Sequence, residues 1–72
     1  MQKNQKNLDK IDTQILRELQ NDGRMSNVEL SRRVNLSPTP CLERVRRLEQ
    51  QGFITGYMAT IDPRKLNLFF FF

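Results

Sequence analysis

Histidine and tryptophan are absent from this 72-residue sequence, and cysteine and tyrosine occur once each. With no histidine and only Cys41, the chain can close no internal disulfide and assemble no cysteine–histidine metal site. The lone thiol fits a reducing, cytoplasmic setting and is expected to serve in packing. Histidine-based nucleophilic or acid–base catalysis is excluded, and there is neither a glycine-rich phosphate loop nor an activated nucleophile, so the expectation is no enzyme, no metal and no cofactor. No apolar run approaches the roughly 20 residues that span a bilayer, so no membrane partner is expected. Residues 1–7 are Gln, Lys and Asn after Met1; they read as a disordered basic arm rather than a signal peptide.

What is plentiful is positive charge. Twelve Lys and Arg oppose eight Asp and Glu, for a net charge of +4. A basic excess on a small chain fits a polyanionic partner, with nucleic acid the leading class. A chain of this length makes one small domain, which buries only about 60% of its unfolded surface and leaves no room for a deep cleft between lobes.

Apolar residues at Leu8, Ile11, Ile15, Leu16 and Leu19 recur every three or four positions, predicting a helix with one buried stripe up to Asp22. Asp9 is its expected N-cap, Asp12 places negative charge in the first turn and Gly23 is the expected stop. Ser26 and Glu29 match a capping box, with Met25 and Leu30 positioned for a hydrophobic staple. They predict a second helix running to about Val34, with Val28, Leu30 and Val34 buried. Asn35 follows, a residue that tolerates positive φ, as a sharp turn between helices requires.

The third helix is expected from about Pro38 to Gln51. Ser37 caps it, Pro38 takes the first position, where a missing N–H does no harm, and Gly52 terminates it. Cys41, Leu42, Val45 and Leu48 form its apolar stripe. Thr39, Pro40, Glu43, Arg46, Arg47 and Gln50 face the other way, with Arg44 and Gln51 on the flank, and this face is expected to have little part in holding the fold. The β-branched and aromatic residues of the run from Phe53 to Ile61 suggest a strand ended by an Asp62-Pro63 turn, with Phe53 and Ile54 expected to close the core.

These elements define a mainly α, three-helix (winged) helix-turn-helix domain with a short C-terminal β-strand. The domain spans residues 8–61 between the arm and a 62–72 linker with a poly-Phe end. Two helices joined by a tight turn, the second polar and arginine-rich, have the geometry of a reader of the DNA major groove. Arg46 and Arg47 suit phosphates or guanine O6 and N7, Arg44 the flanking backbone, and Ser37, Pro38, Thr39 and Pro40 a phosphate or base edge at the helix start. Glu43 can accept from cytosine N4, or pair with Arg46 or Arg47 and orient them. Arg33 can answer the second helix's dipole or touch phosphate.

The run Ser37-Pro38-Thr39-Pro40-Cys41-Leu42-Glu43-Arg44-Val45-Arg46-Arg47-Leu48-Glu49, together with Leu8-Asp9-Lys10-Ile11-Asp12 and Ser26-Asn27-Val28-Glu29-Leu30-Ser31, closely resembles the N-terminal domain of the Lrp/AsnC family. The resemblance covers about residues 8–65. It implies a bacterial or archaeal transcription factor that binds double-stranded DNA as a dimer or larger assembly. It also implies that residues 56–61 match a strand leading to a C-terminal α/β domain, which binds an amino acid and assembles the oligomer. Two departures stand out: Asn35 occupies a position where many relatives have Gly, and Phe69–Phe72 stand where that second domain would begin. A truncated gene product is therefore expected, without a small-molecule effector. The alternative is an interaction fragment that associates with an intact regulator, or with a second copy, through residues 56–61. The uncharged Leu-Asn-Leu-Phe-Phe-Phe-Phe end is expected to favour aggregation.

Overall fold

The computed structural model describes residues 8–65. The expectations for the basic arm and the poly-Phe end concern residues outside that range. Among the described residues, helices α1 (Lys10–Asn21), α2 (Asn27–Arg33) and α3 (Pro38–Gln50) follow one another.

Helix α1 begins with a reciprocal cap. The Asp9 carboxylate accepts from the Asp12 N–H at 2.8 Å, and the Asp12 carboxylate reaches back to the Asp9 N–H at 3.4 Å. It ends at Asp22, which is extended, and Gly23 does not take the left-handed conformation of a helix-ending glycine. The stop comes from Asp22 instead: its side chain accepts from the Arg24 N–H and its carbonyl from the Met25 N–H.

Ser26 caps α2 by accepting from the Glu29 N–H at 3.1 Å. The reciprocal half of the expected box is replaced, because the Glu29 carboxylate pairs with Arg32 and Arg33. Asn35 has φ 59°. Its N–H donates to the Arg32 carbonyl and the Leu36 N–H to the Ser31 carbonyl, the paired closure of a Schellman motif. Gly52 repeats this device after α3 at φ 86°, with its own N–H bonded to Glu49 and that of Phe53 to Leu48.

The core consists of Ile15, Leu30, Val34, Cys41, Val45 and Leu48, bordered by Leu8, Ile11, Leu16, Leu19, Met25, Leu36 and Ile54. Helix α3 is its spine, packing on both α1 and α2. Two expected core residues lie outside it. Val28 is exposed because it stands two positions, about 200°, from Leu30 on the helix circumference. Phe53 is exposed too, since the left-handed turn at Gly52 brings Ile54 rather than Phe53 against the helices.

No strand forms among the described residues; residues 54–62 follow α3 without regular structure. The β-branched and aromatic composition is present, but a strand also needs a neighbour to satisfy its N–H and C=O groups, and none of the described residues supplies one. In place of a plain Asp62-Pro63 turn, residues 63–65 are helical, and Asp62 accepts from the Arg64 and Lys65 N–H groups at their start.

Candidate nucleic-acid interface

The outer face of α3 follows from helical spacing. Cys41, Val45 and Leu48 point into the core, so Thr39, Glu43, Arg46 and Gln50 must point away from it at about 100° per residue, and all four are exposed. Pro38 and Pro40 are exposed at the helix start. Ser37 occupies the N-cap position but makes no side-chain cap bond, which leaves its hydroxyl uncommitted. The two prolines carry no N–H and the Cys41 N–H is bonded to the Ser37 carbonyl, so the Thr39 amide is the free backbone donor of the first turn.

Two contacts hold this helix start in place. The Asn27 side-chain amide donates to the Pro38 carbonyl at 2.8 Å, stitching the beginning of α2 to that of α3. The turn at Asn35 fixes the other connection between the same helices. The Asn27 contact is invisible to sequence reasoning because it depends on how two helix ends are brought together.

The arginines divide sharply. Arg46 is exposed and makes no ion pair with any described residue. Arg44 and Arg47, expected to stand clear of the fold, instead join α3 to α1. Arg44 Nη1 donates to both Asp9 oxygens at 2.9 and 2.8 Å and to Asp12 Oδ1 at 2.9 Å, while Arg47 Nη2 donates to Asp12 Oδ2 at 2.6 Å. Positions 44 and 47 lie on the edge of α3 that looks toward the beginning of α1, which is why they find these carboxylates. Neither Arg46 nor Arg47 pairs with Glu43 among the described residues, which leaves Glu43 exposed on the outer face.

Asp12 is the residue that sequence reasoning undervalued. Its side chain is 0% exposed, and each oxygen receives one of the two arginines. The signal was available: Leu8, Asp12, Ile15 and Leu19 step by four, three and four, so an aspartate occupies a core position of the α1 stripe. A buried carboxylate there requires charged partners. Asp9, by contrast, keeps half its side chain exposed. The Arg44 guanidinium, and then the Asp12 N–H, hold the Asp9 carboxyl below the usual carboxylate range.

Arg33 also turns to protein. It bonds Glu29 at 2.9 Å and Glu18 at 3.1 Å, linking α2 to α1, and these carboxylates raise its pKa further above the ordinary arginine value. The Arg33 carbonyl, one of the free groups ending α2, accepts from the Gln14 side chain at 2.9 Å. On the far edge of α3, the Tyr57 hydroxyl donates to Glu49 at 2.6 Å. Burial of the ring, followed by the Glu49 contact, pushes the Tyr57 hydroxyl up to about 12.

Among the described residues no group of acidic, histidine or cysteine side chains is placed to hold a metal ion, and no helix is long and apolar enough to cross a membrane. What the arrangement presents is a rigid, exposed helix face between two braced edges. The winged helix-turn-helix DNA-binding family matches residues 8–55. The chain belongs to that family. This helix-turn-helix domain is 71% identical over 62 residues to the leucine-responsive regulatory proteins of Escherichia coli K12 and Salmonella typhimurium. Those alignments take in 86% of this chain and 38% of each relative. The chain thus spans well under half the length of the curated relatives it matches.

Solved structures agree. A transcriptional regulator of Neisseria meningitidis, crystallised as its L-Met complex, superposes with TM-score 0.81 at 52% identity, covering 86% of this chain and 40% of that one. LrpC of Bacillus subtilis gives 0.77 at 48%, covering 85% and 44%. This helix-turn-helix domain is therefore a homologue of the DNA-binding portion of Lrp/AsnC transcription regulators, and the relatives named above are regulators.

Proposed function

We propose that the chain is a sequence-specific regulator of transcription that reads duplex DNA with α3 in the major groove. The observation that carries this reading is the outer face of α3, where an exposed Arg46 with no ion-pair partner among the described residues stands among Thr39, Pro40, Glu43 and Gln50 on a helix held at both ends. Arg46 is suited to guanine O6 and N7 or to a phosphate, and Glu43 to cytosine N4. Pro38, Pro40 and the Thr39 methyl offer apolar surface of the kind that meets a thymine methyl group, while the Ser37 hydroxyl and Thr39 amide suit a phosphate. Arg44 and Arg47 brace the helix through α1 and offer only the exposed part of their guanidinium groups at its edge, Arg47 Nε being buried. Arg33 has a similar supporting place on α2. The reading places the chain with DNA in the cytoplasm and assigns no small-molecule effector to residues 8–65.

A single domain makes few contacts, and the avidity that linked domains gain is often ~10²- to 10⁴-fold. Binding by one copy is therefore expected to be micromolar and steeply salt-dependent. Fluorescence anisotropy with sites selected from random DNA tests this. Arg46→Ala should weaken the selected site about tenfold, within the 1–3 kcal/mol typical of a bidentate base contact. Equal affinity for Arg46→Ala and the native chain, or binding indifferent to salt, would overturn the reading.

A second reading is association through residues 56–61 with an intact regulator or another copy. Tyr57, Met58 and Ile61 are each at least half exposed, and this segment has no strand partner among the described residues, so its backbone is open to pairing. If this reading holds, mixing the chain with the homologous full-length regulator yields mixed oligomers with reduced DNA binding. Separate elution and unchanged binding by the regulator would oppose it.

A further inference from the structure

The braced edge of α3 carries two arginines and two aspartates, and their charges cancel. Arg44 contacts Asp9 and Asp12, and Arg47 contacts Asp12. The two carboxylates do different work. Asp12 is buried, and its charge is required because it faces two guanidinium groups without water. Asp9 is half exposed; besides its contact with Arg44, it caps α1 by accepting from the Asp12 N–H at 2.8 Å. A neutral oxygen does this equally well, since asparagine caps helices as effectively as aspartate. The capping hydrogen bond therefore does not need the negative charge of Asp9, which adds to α1 only the modest dipole term of an exposed N-terminal carboxylate. Its visible effect is to neutralise Arg44.

Arg44 stands on the flank of the groove-facing helix, where a helix lying in the major groove has a phosphate strand on either side. We propose that Asp9 is an electrostatic brake on DNA binding: it occupies Arg44 and holds affinity below what α3 would otherwise deliver. This inference rests on the groove reading given above. Arg44 uses only Nη1 for its three carboxylate contacts, so Asp12 retains it through Oδ1 when the Asp9 charge is removed. The braced edge then changes from neutral to one uncompensated positive charge beside the groove. Asp9 is a positioning residue in this account and need not touch DNA.

The test is Asp9→Asn in the full chain, with helix content checked by circular dichroism and DNA affinity measured across a salt series. One further phosphate neutralised should steepen the slope of log K against log salt by about 0.9 and tighten binding by about threefold near 0.1 M salt. In the Arg44→Gln background the same substitution should give no gain in slope or affinity. An unchanged slope, weaker binding by Asp9→Asn, or a gain that survives Arg44→Gln would overturn the brake while leaving the groove reading intact. If neither the native chain nor Asp9→Asn binds the selected DNA in dilute salt, the groove reading fails and the brake with it. Should Asp9→Asn lose helix content, Asp9→Ser, which also caps, replaces it under the same criteria.

Discussion

Arg46 and its neighbours Arg44 and Arg47 have the same chemistry on the same helix, yet the structure gives them opposite tasks. Arg46 projects into solvent with no described counter-charge, whereas Arg44 and Arg47 secure α3 to the first turn of α1. The difference arises from one step around the helix. A residue's availability to a partner is decided by the direction it leaves the backbone and by what the neighbouring helix offers there. An arginine-rich run counted as a single binding surface overstates the charge free to meet DNA. In this domain part of that charge is already committed to holding α3 against α1.

The sharpest way to break the contrast is to remove Asp12. Asp12→Asn should destabilise the domain by about 3 kcal/mol, the low end for unpairing a buried ion, because Arg44 and Arg47 are partly exposed and can rehydrate. Arg46→Ala should alter stability by no more than about 0.5 kcal/mol, as expected of an exposed residue, and express itself in DNA affinity alone. Urea unfolding of the two variants checks this. If Asp12→Asn unfolds at the native midpoint, the braced edge contributes little and the contrast dissolves.

A smaller effect concerns acid. Arg44 lowers the Asp9 carboxyl in the folded chain, so the stability from this contact is fully present above the unfolded value near 3.8 and is lost as pH falls through the lower folded value. The native chain should therefore show a steeper loss of melting temperature below about pH 4 than Asp9→Asn, which has no charge to titrate there. Identical acid profiles would mean that Arg44 does not hold Asp9 in solution.

The least disruptive measurement addresses the opposite edge of α3, where a neutral hydroxyl rather than a cation meets a carboxylate. Tyr57 is the only tyrosine and there is no tryptophan, so absorbance near 295 nm reports this one group. It should ionise at about 12 when folded. Because the folded value is raised, the associated stability is present below pH 10 and fades as pH rises toward 12. Glu49→Gln should bring the ionisation downward; a midpoint near 10 in the native chain would show that the Tyr57–Glu49 contact does not persist in solution.

The sequence disclosed most of what depends on neighbours along the chain. The starts of the helices, the Ser26 and Asp9 caps, positive φ at Asn35 and the left-handed Gly52 are local matters of backbone chemistry and were legible, whereas the Gly23 stop was not what ended α1. So was the alternation of buried and exposed sides on α3. The role of Arg44 and Arg47 was not, because it depends on α1 and α3 crossing near Asp12, which no local pattern specifies. Asp12 itself left a trace, as a charge in a core position of the α1 stripe. Val28 and Phe53 show the limit of hydrophobicity as a guide: each is apolar, but geometry gave the inner place to Leu30 and Ile54. The expected strand illustrates a different limit, since β propensity describes suitability for pairing and cannot provide the partner.

The paired prolines at the start of α3 bear on more than where that helix begins. Pro38 and Pro40 have restricted φ whether the chain is folded or not, so the unfolded ensemble loses less freedom when this turn becomes ordered. In a domain too small to rely on a large core, that reduction in disorder falls on the segment that begins α3 and carries the exposed Thr39. Rigidity at the start of α3 is thus written partly into the covalent chain, before any contact between helices has formed.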